Sequence, residues 1–255
     1  MIFGPDFRAG LARPLYRPAI PNGLGWAIAV FLILLVINQL LQLGFGIAFS
    51  LALPATAVTA QSALRPFMIG LLPAGLVTAG VALGLAYLRG GRPRDALALR
   101  IPVLGPGGWA VVVLGFLFVI YLFIALAVYS LSIDTTARGV VEAAMSGLAS
   151  DPAYAAMVGG IAIGAPLAEE MTFRGQIFAA LSRSRLGVSG AAVLTSLVWA
   201  SIHITEPLYA IGLIFVMGLA LSFLLIRFGS LWVTFACHAV WNGIYSLALL
   251  AFSQT

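Results

Sequence analysis

The sequence predicts an all-α membrane protein, a polytopic bundle of about seven transmembrane helices with the N-terminus inside. Hydrophobic residues make up 62% of the 255 residues, whereas soluble domains contain about 45–50%. Charged residues make up only 8%, against about 25% in soluble domains. So few charges cannot cover the surface of a soluble protein of this length. The composition therefore excludes a cytosolic enzyme, a nucleic-acid-binding module and a disordered chain.

Long apolar runs define the expected helices, because about 20 apolar helical residues cross a bilayer core of ~30 Å. The runs are continuous, which disfavours the short alternating strands of a membrane β-barrel. A further half-span or interfacial helix within 133–153 would not be visible in this pattern, so seven to eight spans are compatible with it. The seven predicted spans are roughly 24–50, 67–88, 108–132, 155–182, 188–204, 207–226 and 230–251.

The arginines set the expected orientation. All thirteen basic residues are arginines, and cytoplasmic loops of membrane proteins carry an excess of basic residues. With the N-terminus inside, only Arg65 and Arg138 fall in outside segments. This bias predicts seven spans with the C-terminus outside. The inside segments would hold Arg8, Arg13, Arg17, Arg89, Arg92, Arg94, Arg100, Arg183, Arg185 and Arg227.

The fourth predicted span carries three charged residues near its middle: Glu169, Glu170 and Arg174. Each such charge costs roughly 2.5–3.5 kcal/mol on insertion scales, and such groups mark functional sites by default. Glu170 and Arg174 are four residues apart and can pair on one helix face. A buried ion pair that only stabilises the bundle would explain these two residues. It would not explain Glu169, which lies about 100° round the helix and is left free of that pair.

The chain has two histidines, His203 and His238, and both lie in or at the end of predicted spans. Asn242 follows His238 by one helical turn, and Trp199 precedes His203 by the same spacing. At ~1.5 Å per residue, Glu170, His203 and His238 lie about 12–22 Å from the inside ends of their spans. These groups could therefore meet in one membrane-embedded cavity.

These side chains are a set that can hydrolyse an amide bond. A buried glutamate can take a proton from water. An imidazole can orient that water or bind a metal, and a histidine–asparagine pair can donate hydrogen bonds to a developing oxyanion. Whether a divalent metal such as Zn²⁺ takes part is left open at this point. If a metal is bound, the candidate ligands are Glu169, His203 and His238.

Three motifs on successive predicted helices resemble those of the CPBP intramembrane proteases, the Abi family of CAAX proteases and bacteriocin-processing enzymes. Residues 169–174 match E-E-x-x-x-R, and residues 238–242 match H-x-x-x-N. Residues 199–203 resemble F-x-x-x-H, with Trp199 in place of phenylalanine. The resemblance covers about residues 155–250. Residues 151–255 are thus the expected catalytic helices, and residues 1–150 are variable transmembrane helices without a recognised motif.

The resemblance implies an endopeptidase that cleaves a membrane-associated protein or peptide inside the bilayer. Glu169 would activate the water with help from His203, and Glu170 and Arg174 would orient the site. His238 and Asn242 would stabilise the oxyanion. We expect an integral protein of a bacterial inner membrane whose partners are its substrate and the lipid bilayer, with no nucleic acid.

A non-proteolytic membrane protein is the alternative, either a transporter with a proton relay or a scaffold that binds helices. The sequence shows no paired inverted repeat that would favour a transporter. Asn38, Gln39 and Gln42 could line a cavity, but we favour a role as polar contacts between helices. The pairs Gly80/Gly84 and Gly160/Gly164 have a spacing that predicts close helix packing.

Overall fold

A computed structural model describes residues 2–18, 23–52, 64–89, 92–132 and 139–253, and these residues contain helices and no strands. The helices surround one long composite helix, α7 (154–182), which carries the charged motif. The others are α1 (Pro5–Ala12), α2 (Leu24–Ala52), α3 (Arg65–Leu88), α4 (Pro93–Ala96), α5 (Gly105–Leu131), α6 (Val140–Gly147), α8 (Gly187–Ser201), α9 (Leu208–Phe228) and α10 (Leu231–Ser253).

All seven predicted apolar runs form helices, which confirms the all-α fold class. Four of them, α2, α3, α5 and α9, are long and apolar enough to cross a membrane. α8 has 15 residues, so its axis is only about 22 Å long. The polar motif residues of α7 and α10 lower the mean hydropathy of these two helices. The chain is thus an integral membrane protein with four candidate spans among its described residues, while the seven-span count and the N-in orientation stay predictions.

The structure adds three short helices to the seven predicted ones. α1 and α4 lie beside the predicted spans, and α6 falls within 133–153, where the sequence left room for an interfacial helix. One helix ends slightly before its approximate predicted boundary. The fifth run was extended to residue 204, but α8 ends at Ser201, so His203 lies in the turn that follows the helix.

α7 is not a regular α-helix. Its α-helical parts, Tyr154–Gly159, Ala165–Glu169 and Phe178–Ser182, alternate with two π-helical segments, Gly160–Gly164 and Glu170–Ile177. π-helical turns are rare, and they occur frequently at functional sites. Here the second segment begins at Glu170 and includes Arg174. No sequence pattern predicted this distortion, which lies within the motif itself.

The N-terminal helices pack directly on α7. The rings of Phe31 and Phe173 lie 5.9 Å apart, and Gln176 Nε2 donates to the carbonyl of Ala82 at 2.7 Å. At the other end of α3, Arg65 Nε lies 2.6 Å from Asp151 Oδ2 in a buried salt bridge. These contacts connect the two predicted parts of the chain, residues 1–150 and 151–255.

Glycines allow α3 and α7 to approach closely, although only one of the two predicted glycine pairs takes part. A Cβ atom on Gly160 or Gly164 would meet the Leu71–Leu72 region of α3, and Gly75 faces the backbone of Gly164. The Gly160/Gly164 pair is therefore confirmed as a packing site. The packing role of Gly80/Gly84 stays a prediction, because a Cβ at either position would meet no described atom within 4 Å.

Candidate active site

The motif residues surround a cavity of about 470 Å³ within the helix bundle. Glu169, His203, His238 and Asn242 all line it, together with Trp199. The structure thus brings residues from α7, the end of α8 and α10 to one space, as their predicted depths suggested. Glu170 and Arg174 lie behind this layer and are fully buried.

Glu170 and Arg174 form the ion pair that their spacing predicted. Arg174 Nη1 donates to Glu170 Oε1 at 3.1 Å, and neither side chain is exposed to solvent. Arg174 Nη2 also donates to the carbonyl of Gly218 on α9 at 3.3 Å. Charges buried this deeply are tolerated only when they are paired and hydrogen-bonded. The pair therefore connects α7 to α9. It also holds one negative and one positive charge behind the cavity.

His238 lies between the two glutamates. Its Nδ1 is 3.0 Å from Glu170 Oε1, and its Nε2 is 3.9 Å from Glu169 Oε2. Because Nδ1 faces the buried carboxylate, Nε2 is the ring nitrogen directed toward Glu169. In the protonated ring both nitrogens are hydrogen-bond donors. His238 can then hold Glu170 with one nitrogen and donate to a group in the cavity with the other.

Glu169 is the acid of the motif that reaches the cavity. Its side chain is 22% exposed, whereas that of Glu170 is fully buried. It stands outside the Glu170–Arg174 hydrogen bond, as the sequence suggested. It has another partner, since Trp199 Nε1 donates to Glu169 Oε2 at 2.7 Å. This geometry leaves the other carboxylate oxygen to bind water or substrate.

Trp199 connects the whole cluster, a role that the sequence analysis did not assign to it. Its ring stacks under the guanidinium of Arg174, with Cζ 4.3 Å from the ring centroid, and it meets the His238 ring edge-on at 5.2 Å. Its carbonyl accepts a hydrogen bond from Nδ1 of His203 at 2.8 Å. A phenylalanine, which the motif would otherwise have here, could pack in the same way but has no N–H to donate to Glu169.

Asn242, one helical turn after His238, forms a hydrogen bond to the backbone of α7. Its Nδ2 donates to the carbonyl of Ile161 at 3.0 Å. In the π-helical segment the N–H of Ala165 donates to the carbonyl of Gly160, five residues earlier. The matching donor for the Ile161 carbonyl would be residue 166, which is a proline and has no N–H. Asn242 therefore supplies a hydrogen bond that the backbone cannot make.

The described residues do not form a metal site. No group of three or more histidine, cysteine, aspartate or glutamate side chains is placed to hold a metal ion within the described part of the chain. Nδ1 of His203 is engaged by the carbonyl of Trp199, which leaves its Nε2 as the nitrogen available to a ligand, and His238 Nε2 and Glu169 Oε2 are 3.9 Å apart. The candidate ligands Glu169, His203 and His238 are not gathered into a metal site among the described residues, and no step below uses one.

Residues 151–244 match the model of the Rce1-like family, described as type II CAAX prenyl endopeptidase Rce1-like. All three motifs lie inside the matched range. The C-terminal part of the chain is thus similar to this family. The resemblance to the CPBP proteases is thereby confirmed for these residues, and the family is one of endopeptidases. Neither the curated proteins nor the solved structures contain a match to the chain.

The Rce1-like region covers 94 residues, a little over a third of the chain. It begins at Asp151, the partner of Arg65, and ends within α10 after Asn242. The helices before it lie outside the match, although α2 and α3 supply a wall of the cavity. Within the Rce1-like region the sequence departs from the motif at Trp199, the residue that contacts Glu169.

Proposed function

We propose that the chain is an intramembrane endopeptidase that hydrolyses a peptide bond of a membrane-associated protein or peptide with a water molecule activated by Glu169. The observation that carries this proposal is the different setting of the two adjacent glutamates. Glu170 is buried and bonded to Arg174, while Glu169 lines the cavity and is part-exposed. One acid supports the site and the other can reach a substrate.

In the proposed reaction Glu169 takes a proton from water, and the water oxygen attacks the carbonyl carbon of the scissile bond. The carbonyl electron pair moves to oxygen, which becomes an oxyanion. His203, held by the carbonyl of Trp199, directs its Nε2 to the attacking water, and His238 Nε2 with Asn242 faces the oxyanion. When the oxyanion collapses the C–N bond breaks, and Glu169 returns its proton to the departing nitrogen.

The family description suggests a CAAX-type tail as the substrate class, and a bacteriocin-like peptide is the alternative that the sequence resemblance implies. A bacterial inner membrane is the proposed location. Residues 151–255 are proposed as the catalytic part, and residues 1–150 as helices that complete the cavity. Glu169, Glu170, Arg174, His203, His238 and Asn242 are the proposed site residues.

Quantitative proteomics of protein termini tests this function. Membranes with the wild type are compared with membranes that contain Glu169→Gln, because the carbonyl oxygen of the introduced amide can still accept the Trp199 N–H and preserve the fold. We expect a set of new termini that depends on Glu169 and disappears in the variant. Alanine variants of His203 and His238 are expected to lose the same termini.

Asp95→Asn is the matched control, since it also converts a carboxylate to an amide but lies on α4, away from the cavity. It should give the wild-type set of termini. If folded wild type and Glu169→Gln give identical termini, the endopeptidase proposal is wrong, and a transporter or scaffold becomes the better explanation of the charged cluster.

A further inference from the structure

A row of uncharged amide side chains lies on the part of the cavity wall that α2 provides. Asn38, Gln39 and Gln42, here called the polar wall, line the same cavity as Glu169 and His238. The sequence analysis favoured a role for these residues in helix contacts. The structure shows that the Asn38 side chain bonds to another helix, that Gln42 bonds to Asn38 within α2, and that all three also face the space in which the reaction is proposed.

The polar wall is held in place from behind. Asn38 Nδ2 donates to Thr78 Oγ1 on α3 at 3.0 Å, and Gln42 Nε2 donates to Asn38 Oδ1. The α3 backbone at Gly70 lies so close to Gln42 that a Cβ there would meet the Gln42 carbonyl oxygen. Each amide has two N–H donors and a carbonyl acceptor. The described bonds use only one N–H of Asn38 and one of Gln42, so hydrogen-bonding capacity is left for a ligand.

Hydrolysis limits the conformation in which a substrate can be cleaved. In an α-helix each backbone carbonyl accepts a hydrogen bond from the N–H four residues later. A carbonyl exposed to attack cannot remain bonded within a helix. The substrate segment that reaches Glu169 in the cavity must therefore be unwound.

Unwinding a peptide inside the membrane exposes its backbone N–H and C=O groups. Each group left unsatisfied there costs several kcal/mol. A charged side chain could pair with only one of the two kinds of group, but an amide can pair with both. The polar wall offers amides at three positions of α2 that face the cavity shared with Glu169.

We propose that the polar wall binds the backbone of the unwound substrate segment and holds its scissile carbonyl toward Glu169. This inference rests on the proposed endopeptidase function and gives the N-terminal helices a part in it. Because amides can pair with backbone groups whatever side chains the substrate carries, the site selects for segments that unwind easily and tolerates different residues in them. The substrate class is therefore an unwound or terminal peptide segment.

Gln39→Met and Gln42→Met test the proposal, because methionine is similar in length but cannot make these hydrogen bonds. Gln39→Met is the more informative variant, since Gln42 also bonds to Asn38 within the polar wall, whereas none of the described side-chain hydrogen bonds involves Gln39. The matched control is Leu43→Met, which alters an exposed α2 residue that does not line the cavity. The substrates are the proteins in native membrane vesicles that the full-length enzyme cleaves. Their cleavage is measured by the new termini that appear, and Glu169→Gln is assayed in parallel.

At equal amounts of folded protein we expect the initial rate of terminus formation to fall about tenfold in each glutamine variant, the effect of losing one backbone hydrogen bond. Tm in detergent and the rate of Leu43→Met should match the wild type. Overproduction of one cleaved protein should restore its cleavage in Gln42→Met but not in Glu169→Gln, because the defect is in KM.

Two outcomes overturn the inference, and they are distinguishable. If Glu169→Gln abolishes the termini while both glutamine variants keep the wild-type rate, the polar wall does not bind substrate, although the endopeptidase function stands. If the glutamine variants lose activity only in proportion to a lower Tm, the wall is a helix contact. Termini that do not depend on Glu169 would overturn the proposed function, and the inference with it.

Discussion

At the scale of single residues, Trp199 shows how a small departure from a motif changes a site. Its indole N–H lies 2.7 Å from Glu169 Oε2, and its side chain is 1% exposed. A hydrogen bond to a charged group is worth about 1.5–3 kcal/mol. By fixing one oxygen of Glu169, Trp199 would set the direction in which the other oxygen meets water. It is thus a positioning residue for the proposed reaction.

Trp199→Phe should lower kcat about 10- to 100-fold and leave KM nearly unchanged, because it removes the bond to Glu169 and keeps the aromatic packing. Steady-state cleavage of a Glu169-dependent substrate measures both constants. The spectrum of indole N–H groups gives an independent readout. The signal that disappears in Trp199→Phe should shift in Glu169→Gln, since its acceptor changes from a carboxylate to an amide.

Trp232→Phe is the control for this prediction. It also removes an indole hydrogen bond, from Trp232 Nε1 to the carbonyl of Leu99 at 3.1 Å, but outside the cavity. Its kcat should equal that of the wild type. Equal losses of kcat in both variants would mean that the loss of a buried indole bond, rather than the orientation of Glu169, explains the effect.

At the scale of elements, the interrupted helix α7 depends on its neighbour α10. The carbonyl of Ile161 loses its backbone donor because residue 166 is a proline, and Asn242 donates to it instead at 3.0 Å. A buried acceptor without a donor costs about 1–3 kcal/mol. The last residue of the H-x-x-x-N motif therefore stabilises the first π-helical segment of α7 in addition to its proposed part in catalysis.

A double-mutant cycle tests this dependence. Asn242→Leu should reduce the free energy of unfolding by about 1–3 kcal/mol, measured by thermal unfolding in detergent. Pro166→Ala restores an N–H at the proline position, so the same asparagine substitution should cost less in that background. Costs that simply add would show that Asn242 and Pro166 do not act on the same carbonyl.

The sequence predicted the elements better than their distortions. Apolar runs of adequate length located seven helices, and the four-residue spacing of Glu170 and Arg174 located their ion pair, because both features depend on local geometry. The π-helical segments, the end of α8 before His203 and the Trp199–Glu169 bond depend on contacts between distant helices. Gly160/Gly164 and Gly80/Gly84 have the same sequence spacing, but only the first pair has a helix backbone opposite it among the described residues.

At the scale of the whole molecule, the Rce1-like region is enclosed by helices that lie outside the family match. Phe31 packs on Phe173, and Gln176 bonds to the backbone of α3. The salt bridge between Arg65 and Asp151 joins the start of α3 to the start of the match, with side chains 6% and 1% exposed. These contacts are as direct as those within a single domain, so the two parts should fold and act together.

Splitting the chain tests this unity. Residues 151–255 produced alone should be degraded, whereas residues 1–150 and 151–255 produced as two chains should copurify and restore the Glu169-dependent termini. Arg65→Met should prevent reassembly, because it leaves Asp151 buried without its partner at a cost of about 3–5 kcal/mol. Arg94→Met, at an exposed position of α4, should reassemble like the wild type. Stable and active residues 151–255 without the first part would contradict the prediction, because α2 and α3 would then be unnecessary for the cavity.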